Sequence, residues 1–591
     1  MSVQSEGATS GGESSRWALA GSLAAVEAGS PVVTHVKGQT VALFKVDGRV
    51  YAVDNRCPHM GFPLHRGSVR DCVLTCHWHH ARFDLAGGGT FDPWADDLRV
   101  FPVEIREGEI WIDLSPRADP MEHQSARLRD GLERSISLVV GKAVIALMEG
   151  GRSPVDPFRV GLDYGVRCRR NGWSQGLTMH TCFLNLLPHL DPVDRPHALF
   201  HGLSAVGQDT SGMAPRIQMT PLPGSDGDLE TLKRWFRQFI EVRDGDGAER
   251  CVVSAVQAGA TSEQMADMLF AAATDHRYIS TGHPVDFTNK ALEALDSAGW
   301  EYAEPVLASL VPSYTGASRT EESSSWRYPI DLIAILDRAF EAMPAALETG
   351  RSQQRAEWDG RERLAPVLLG EDPQAITDAL LSELQEGARP AEVAAAVTYA
   401  ASLRIAHFHI NNDFNDWDTA LHTFTFSNAV EQGLRRSPSP ELVRGVFDAA
   451  MSVYLDRFLN VPPTPLPSPE PDGRSSQAIL AQFPELLDQR QQVNQAGQLV
   501  ARFLAAGGDT RHLIAIMGKL LLREDRNFHT IQAVEAAVRQ YGSLEGKPAG
   551  AHVLVAAARY LAAHAATSRQ QDQVFQIAQR LNHGDALFEE R

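Results

Sequence analysis

Cys57-Pro58-His59 and, after sixteen intervening residues, Cys76-His77-Trp78-His79 constrain this chain more than any other stretch. Each segment sets a thiol beside an imidazole, so two short loops must carry four metal-ligand side chains between them. Two thiolates on one iron and two imidazoles on the other is the donor set of a two-iron, two-sulfide centre. Neutral imidazole donates less charge than thiolate. Such a centre is therefore easier to reduce than an all-cysteine one, on the order of hundreds of millivolts. The competing chemistry is a tetrahedral zinc site. Zinc sites built from two Cys and two His favour C-x2–4-C and H-x3–5-H spacings, which this stretch lacks.

The run that continues through Ala81-Arg82-Phe83-Asp84 resembles the Rieske [2Fe–2S] domain family. The resemblance implies a [2Fe–2S] cluster held by Cys57, His59, Cys76 and His79. Two positions depart from the family's usual text: His77 stands where Pro is common and His80 where Gly is common. With two adjacent imidazoles available, spacing selects His79. High-potential relatives join their two loops by an extra disulfide. Here the corresponding positions hold Phe62 and Trp78, and Cys72 has no evident mate. The chain is thereby similar to the ferredoxin and oxygenase types.

The chain has 591 residues, enough for several domains, and an ordinary hydrophobic content of 43%. Six cysteines, two of them cluster candidates, argue against a disulfide framework and for a reducing compartment. No run approaches the ~18–20 apolar residues of a membrane span. The first residues lack the basic and apolar regions of a signal peptide. A cytoplasmic protein is expected. A net charge of −19 disfavours nucleic acid and anionic membrane as partners, since both are polyanions.

Residues 1–15 are Gly/Ser/Glu-rich and read as a disordered tail. Strand signals follow at Val32–Val36, Thr40–Phe44, Arg49–Val53, Arg99–Ile105 and Ile110–Leu114, with Asp47-Gly48 marking a hairpin. They predict a small antiparallel β domain over 16–118, with Gly87-Gly88-Gly89 as a turn. Beyond it apolar residues recur at three and four and strands vanish, predicting a large all-α region over 119–460. A Pro-rich linker or surface loop is expected over 461–478 and a last helical block over 479–591. The fold class is a multidomain α+β chain.

The helical text repeats itself. Ala258-Gly259-Ala260-Thr261 recurs as Glu386-Gly387-Ala388-Arg389, more loosely as Ala506-Gly507-Gly508-Asp509, and earlier as Gly150-Gly151-Arg152. Thr261 and Gln264 are spaced as a capping box. Downstream of each lies a histidine expected to open a helix: His180, His283, His422 and His529. Two of these carry Asn six residues on, Asn289 and Asn428. Equivalent residues of pseudo-symmetric repeats can meet around one axis. The four imidazoles, with Asp275, Asp286 and Asp418 nearby, form a candidate second metal site, for non-haem iron or for a diiron centre of His and carboxylate. Helix-start histidines that only fix packing account for the same pattern. A second candidate is the Asp194-Arg195-Pro196-His197 to His201 stretch, where His197 and His201 share one helix face. Asp194 suits the N-cap there and Pro196 the first turn. The polar run His407 to Asp413 reads as a pocket lining or as a helix-terminating loop. His197 to Leu203 and Leu421 to Leu434 faintly resemble questin-oxidase-like oxygenases, which would imply an aromatic polyketide-like substrate.

A Rieske centre moves single electrons, and no G-x-G-x-x-G fingerprint follows a strand here. The electrons are expected from a separate reductase or ferredoxin. Two functions of different class follow. In one, the cluster feeds a helical domain that oxidises a small organic substrate with O2. In the other, the chain is an electron carrier or redox sensor whose helical array docks a partner. The sequence is compatible with an oligomer in either case.

Overall fold

The computed structural model describes residues 16–27, 29–115, 120–224, 228–353, 358–468, 473–585 and 587. The N-terminal tail and part of the Pro-rich segment lie outside them. The chain divides into two compact units, one of residues 1–152 with 573–591 and one of residues 153–572.

The first unit contains three antiparallel sheets. β1 (Trp17–Ser22), β9 (Val103–Arg106) and β10 (Glu109–Asp113) form one in the order β1-β10-β9; β2 (Val32–Val36), β3 (Gln39–Val46), β4 (Arg49–Asp54) and β8 (Val100–Phe101) form the second. β5 (Ser68–Arg70), β6 (Val73–Thr75) and β7 (Arg82–Asp84) form the third. Asp47-Gly48 closes β3 on β4 as expected, pairing Val46 with Arg49, and both turn residues have positive φ as a type I′ turn demands. Asp71-Cys72 makes the same kind of turn between β5 and β6. Cys72 has no cysteine partner there; its sulfur lies 4.0 Å from the Tyr51 hydroxyl. Two helices, Pro120–Glu133 and Ser137–Glu149, pack against each other beyond the strands. The compact unit therefore runs past residue 118, to Arg152.

The repeated text of the helical region is a helix terminator. At each copy the glycine N–H reaches back three residues and the next N–H reaches back five: Gly151 to Met148 and Arg152 to Leu147, Gly259 to Val256 and Ala260 to Ala255. Gly387 with Ala388 and Gly507 with Gly508 repeat the pattern. This is the Schellman arrangement, which needs a left-handed residue, and all four glycines supply it with φ between +71° and +95°. The Thr261–Gln264 capping box forms. Two helix starts differ from expectation. Asp413 caps Phe414–Arg436 by accepting from the Asp416 amide, so His422 lies in the third turn; Gln175–Leu186 likewise begins well before His180. Asp194 makes no capping hydrogen bond.

The helices that carry the four repeat histidines form the interior of the second unit. Gln175–Leu186 and Phe414–Arg436 each pack against both His283–Ala298 and Phe528–Leu544, closing a four-membered ring. The ring encloses charge. Lys290 Nζ donates to Glu293 at 2.9 Å and to Glu535 at 2.7 Å, and Asn185 donates to both carboxylates at 2.8 and 2.9 Å. Asn289, six residues after His283, donates to Glu293, and Asn428 accepts from Gln540. Burial alone would push Glu293 up, but Lys290 and Arg539 outweigh it and hold it at about 2. Removing one partner of a buried ion network strands the other charges, at a cost of about 3–5 kcal/mol. Lys290→Met is expected to destabilise the chain by that amount in urea unfolding. The double variant Lys290→Met/Glu535→Gln should recover part of the loss.

Candidate functional site

Two loops of the first unit bring the Cys/His pairs together. They are built alike. The Cys57 N–H donates to the Phe62 carbonyl and the Cys76 N–H to the Ala81 carbonyl, each at 2.8 Å and each closing a loop over five residues. The fourth residue after each cysteine takes a left-handed conformation: Gly61 at φ +82° and His80 at φ +64°. A histidine at the glycine position of the second loop is thus a strained but admissible choice. Non-glycine residues there cost about 1–2 kcal/mol. His80→Gly should raise the stability of the first unit by up to about 1 kcal/mol, read as a higher midpoint of thermal unfolding.

Both sulfurs are buried, in one apolar cluster with Phe62, Leu64, Leu74 and Phe83. They lie within hydrogen-bond reach of one another, so the pair shares one proton more readily than it holds two. The Cys57 thiol is pushed up and that of Cys76 is drawn down to about 6. Backbone N–H groups of His59 and Met60 point at the Cys57 sulfur and those of Trp78 and His79 at the Cys76 sulfur. The rings of His59 and His79 stand 4.9 Å apart at 84°. Burial first, then the His79 charge, lowers His59 to about 4. Its Nδ1 is buried and has no hydrogen-bond partner among the described residues. Two facing sulfurs, two facing imidazoles and an orphaned ring nitrogen fit a [2Fe–2S] centre. Phe62 and Trp78 lie with ring centroids 6.3 Å apart.

Residues 16–102 match the family described as the Rieske [2Fe-2S] domain. The chain is 31% identical over 101 residues to the naphthalene 1,2-dioxygenase system ferredoxin component of Pseudomonas putida, covering 17% of this chain and 97% of that protein. It is 38% identical over 82 residues to the 3-phenylpropionate/cinnamic acid dioxygenase ferredoxin subunit of Escherichia coli, covering 14% and 76%. Among solved structures it is similar to the ferredoxin of carbazole 1,9a-dioxygenase from Nocardioides aromaticivorans, at 25% identity, 17% and 100% coverage and a TM-score of 0.16. The chain belongs to the Rieske [2Fe-2S] domain family. That membership implies a [2Fe–2S] cluster and a role in electron transfer.

In the second unit three of the four repeat histidines converge. One ligand atom from each of His283, His422 and His529 lies within 4.8 Å of the other two. His422 Nε2 and His529 Nε2 are already 2.9 Å apart. The outer nitrogens are held. His283 Nδ1 donates to the Ser280 carbonyl at 2.9 Å, and His529 Nδ1 lies 3.2 Å from the Asp418 carboxylate. Each such bond keeps the proton on Nδ1 and leaves Nε2 as a free lone pair. Asp418 also accepts from the Tyr560 hydroxyl at 2.5 Å and lies 3.4 Å from His564 Nε2. Burial, then the neighbouring imidazoles, lowers His422 to about 3.

The other candidates are placed differently. His180 is fully buried against Phe158, with Nε2 3.1 Å from that residue's carbonyl oxygen, and does not join the trio. His197 and His201 meet through their Nε2 atoms at 3.1 Å, and His201 Nε2 donates to the Leu522 carbonyl at 2.9 Å. Asp275 is spent on Arg237 and Arg444. Asp286 lies one turn after His283, accepts from Gln532 and is raised by burial to about 7. The His407 to Asp413 run ends the helix Pro390–Ala406, with His407 Nδ1 bonded to the Thr464 carbonyl. Tyr560 and His564 carried no sequence signal, because their partner Asp418 is more than a hundred residues away. The trio's acids are likewise scattered.

Burial lowers His180 to about 4, against about 6.5 in an unfolded chain. Above pH ~6.5 both states are neutral at this ring; below it the unfolded chain takes up a proton that the folded chain refuses. The stability His180 contributes is thus complete above pH ~6.5 and is lost as the pH falls toward about 4. The advantage of the wild type over His180→Gln in thermal unfolding should shrink from pH 7 to pH 5. A constant difference would contradict the assigned neutral state.

Proposed function

We propose that the chain is an oxidoreductase in which a Rieske centre serves a metal site in the helical unit that oxidises a small organic substrate with O2. Cys57 and Cys76 hold one iron of the cluster and His59 and His79 the other. The cluster, when bound, supplies electrons one at a time. Those electrons come from a separate reductase or ferredoxin, a reading supported by relatives named as ferredoxin components of dioxygenase systems. The single observation that carries the helical half is the convergence of His283, His422 and His529.

A non-haem iron at these three imidazoles would supply O2 activation, and three protein ligands leave coordination positions open for it. The chain's own residues do the rest. Ser280 and Asp418 hold protons on the outer nitrogens of His283 and His529, which orients both lone pairs inward. Phe287 and Phe528 flank His283, with ring centroids 5.4 and 6.2 Å away, and keep water from that side. Asp286, a carboxyl raised to about 7 by burial one turn from His283, can hold a proton near neutral pH. The alternative, an electron carrier or redox sensor with a docking array, needs no converging imidazoles.

Anaerobic reconstitution with iron and sulfide tests the reading. The full chain should bind iron in excess of its inorganic sulfide and show a Rieske-type EPR signal. His422→Ala should abolish the excess iron and the O2-dependent turnover while leaving that signal intact. Cys76→Ser should do the reverse to the signal. Iron equal to sulfide, with no turnover under reductant and O2, would remove the oxygenase half. Asp418→Asn should weaken metal binding at the three histidines about 10–100-fold, the usual effect of losing an outer partner of a ligating histidine. Competition with a chromophoric chelator reads that loss directly.

A further inference from the structure

The family match ends at residue 102, yet the first unit continues through two helices. The second of these, Ser137–Glu149, sends Lys142 under the first ligand loop. Its Nζ donates to the carbonyl of Pro58 at 2.6 Å, between Cys57 and His59. Lys142 also forms an ion pair with Asp96, and Asp96 pairs in turn with Arg127 of the helix Pro120–Glu133. Asp96 is 5% exposed and Lys142 12%, so water screens neither well. The member of this group nearest the loop is the Lys142 cation, which touches the Pro58 carbonyl directly. The stretch that carries Asp96 also carries Trp94, whose ring packs on His59 with centroids 4.6 Å apart. One short segment therefore touches both the helices and a ligand ring.

We propose that this helical pair sets the reduction potential of the Rieske centre, with Lys142 as the positioning residue that acts through the Pro58 carbonyl and its own charge. The role rests on the assignment of Cys57, His59, Cys76 and His79 as the cluster ligands. Reduction adds one electron to the cluster, and a cation held close by in a poorly solvated place favours the reduced form. The potential of an iron–sulfur centre responds to net charge, hydrogen bonding and solvent exposure. Lys142 contributes to the first two: it adds charge and donates to the loop backbone. Asp96 opposes it electrostatically while fixing its position. The sign of the two effects is thus opposite, which a merely structural strut would not produce.

The test is an EPR-monitored redox titration of the reconstituted full chain, with iron and sulfide quantified for each variant. Lys142→Met should lower the reduction equilibrium constant at least tenfold, a fall of 59 mV for a one-electron couple. Lys142→Arg should stay within threefold of wild type. Asp96→Asn should shift the equilibrium the other way. Equal midpoints in Lys142→Met and wild type, at unchanged cluster content, would overturn the role. So would a fall in both Lys142→Met and Asp96→Asn. Should Lys142→Met fail to retain its cluster, Asp96→Asn decides alone: a rise supports the role, and no change or a fall removes it. A wild-type chain with no Rieske signal after reconstitution would instead overturn the ligand assignment, and this role with it.

Discussion

Two hydrogen bonds of equal span, Cys57 to Phe62 and Cys76 to Ala81, determine what the first unit can do. Each folds five residues back on themselves and turns the following amides toward the cysteine sulfur. Amides aimed at a sulfur favour its thiolate, because a hydrogen bond to a charged acceptor is about twice as strong as a neutral one. The apolar base of Leu64, Leu74, Phe83 and Leu98 then holds the two loops face to face. With the backbone so fixed, the imidazoles of His59 and His79 have little choice of direction. Nδ1 of His59 is buried without a hydrogen-bond partner among the described residues in consequence.

The second unit solves a different problem. Its four inner helices come from segments far apart in the chain, and nothing local fixes their mutual register. The buried network of Lys290, Glu293, Glu535, Asn185 and Arg539 does. Its members lie on three of the four helices, so a slip of one turn would leave a charge unpaired in a place where that is costly. Two of the three imidazoles lie on the same helices, His283 about two turns before Lys290 and His529 about two turns before Glu535, while His422 lies on the fourth helix. Their convergence is therefore tied to the register that the charges impose.

What could be read from the sequence was what short stretches decide by themselves. The hairpins, the two ligand loops, the Thr261–Gln264 box and the recurrence of the glycine text, though not its role as a helix terminator, all depend on residues within six positions of each other. That His80 occupies a position where glycine is common was also legible; the left-handed conformation it shares with Gly61 came only with the structure. What depends on distant packing was not. Lys142 reaches Pro58 across 84 residues and Tyr560 reaches Asp418 across 142, and neither pair leaves a pattern. His422 lies two turns deeper than a helix start because Asp413, in a run that reads equally as a pocket lining, supplies the cap.

His180 shows why the pseudo-symmetry stops at three. Its ring stacks on Phe158, 4.6 Å between centroids. Gly161 and Gly202 stand against it so closely that a Cβ on either would come within 2.6 Å of a ring nitrogen. The first repeat has thus used its histidine to let two helices approach, and small residues on both were needed to admit the ring. A histidine wedged in this way cannot swing out to a metal without opening a gap among Phe158, Leu203 and the helices that carry them. The loss is consistent with chemistry at the remaining three. Four imidazoles around one ion would fill the positions of a tetrahedral site, whereas three leave a side on which O2 or substrate can bind.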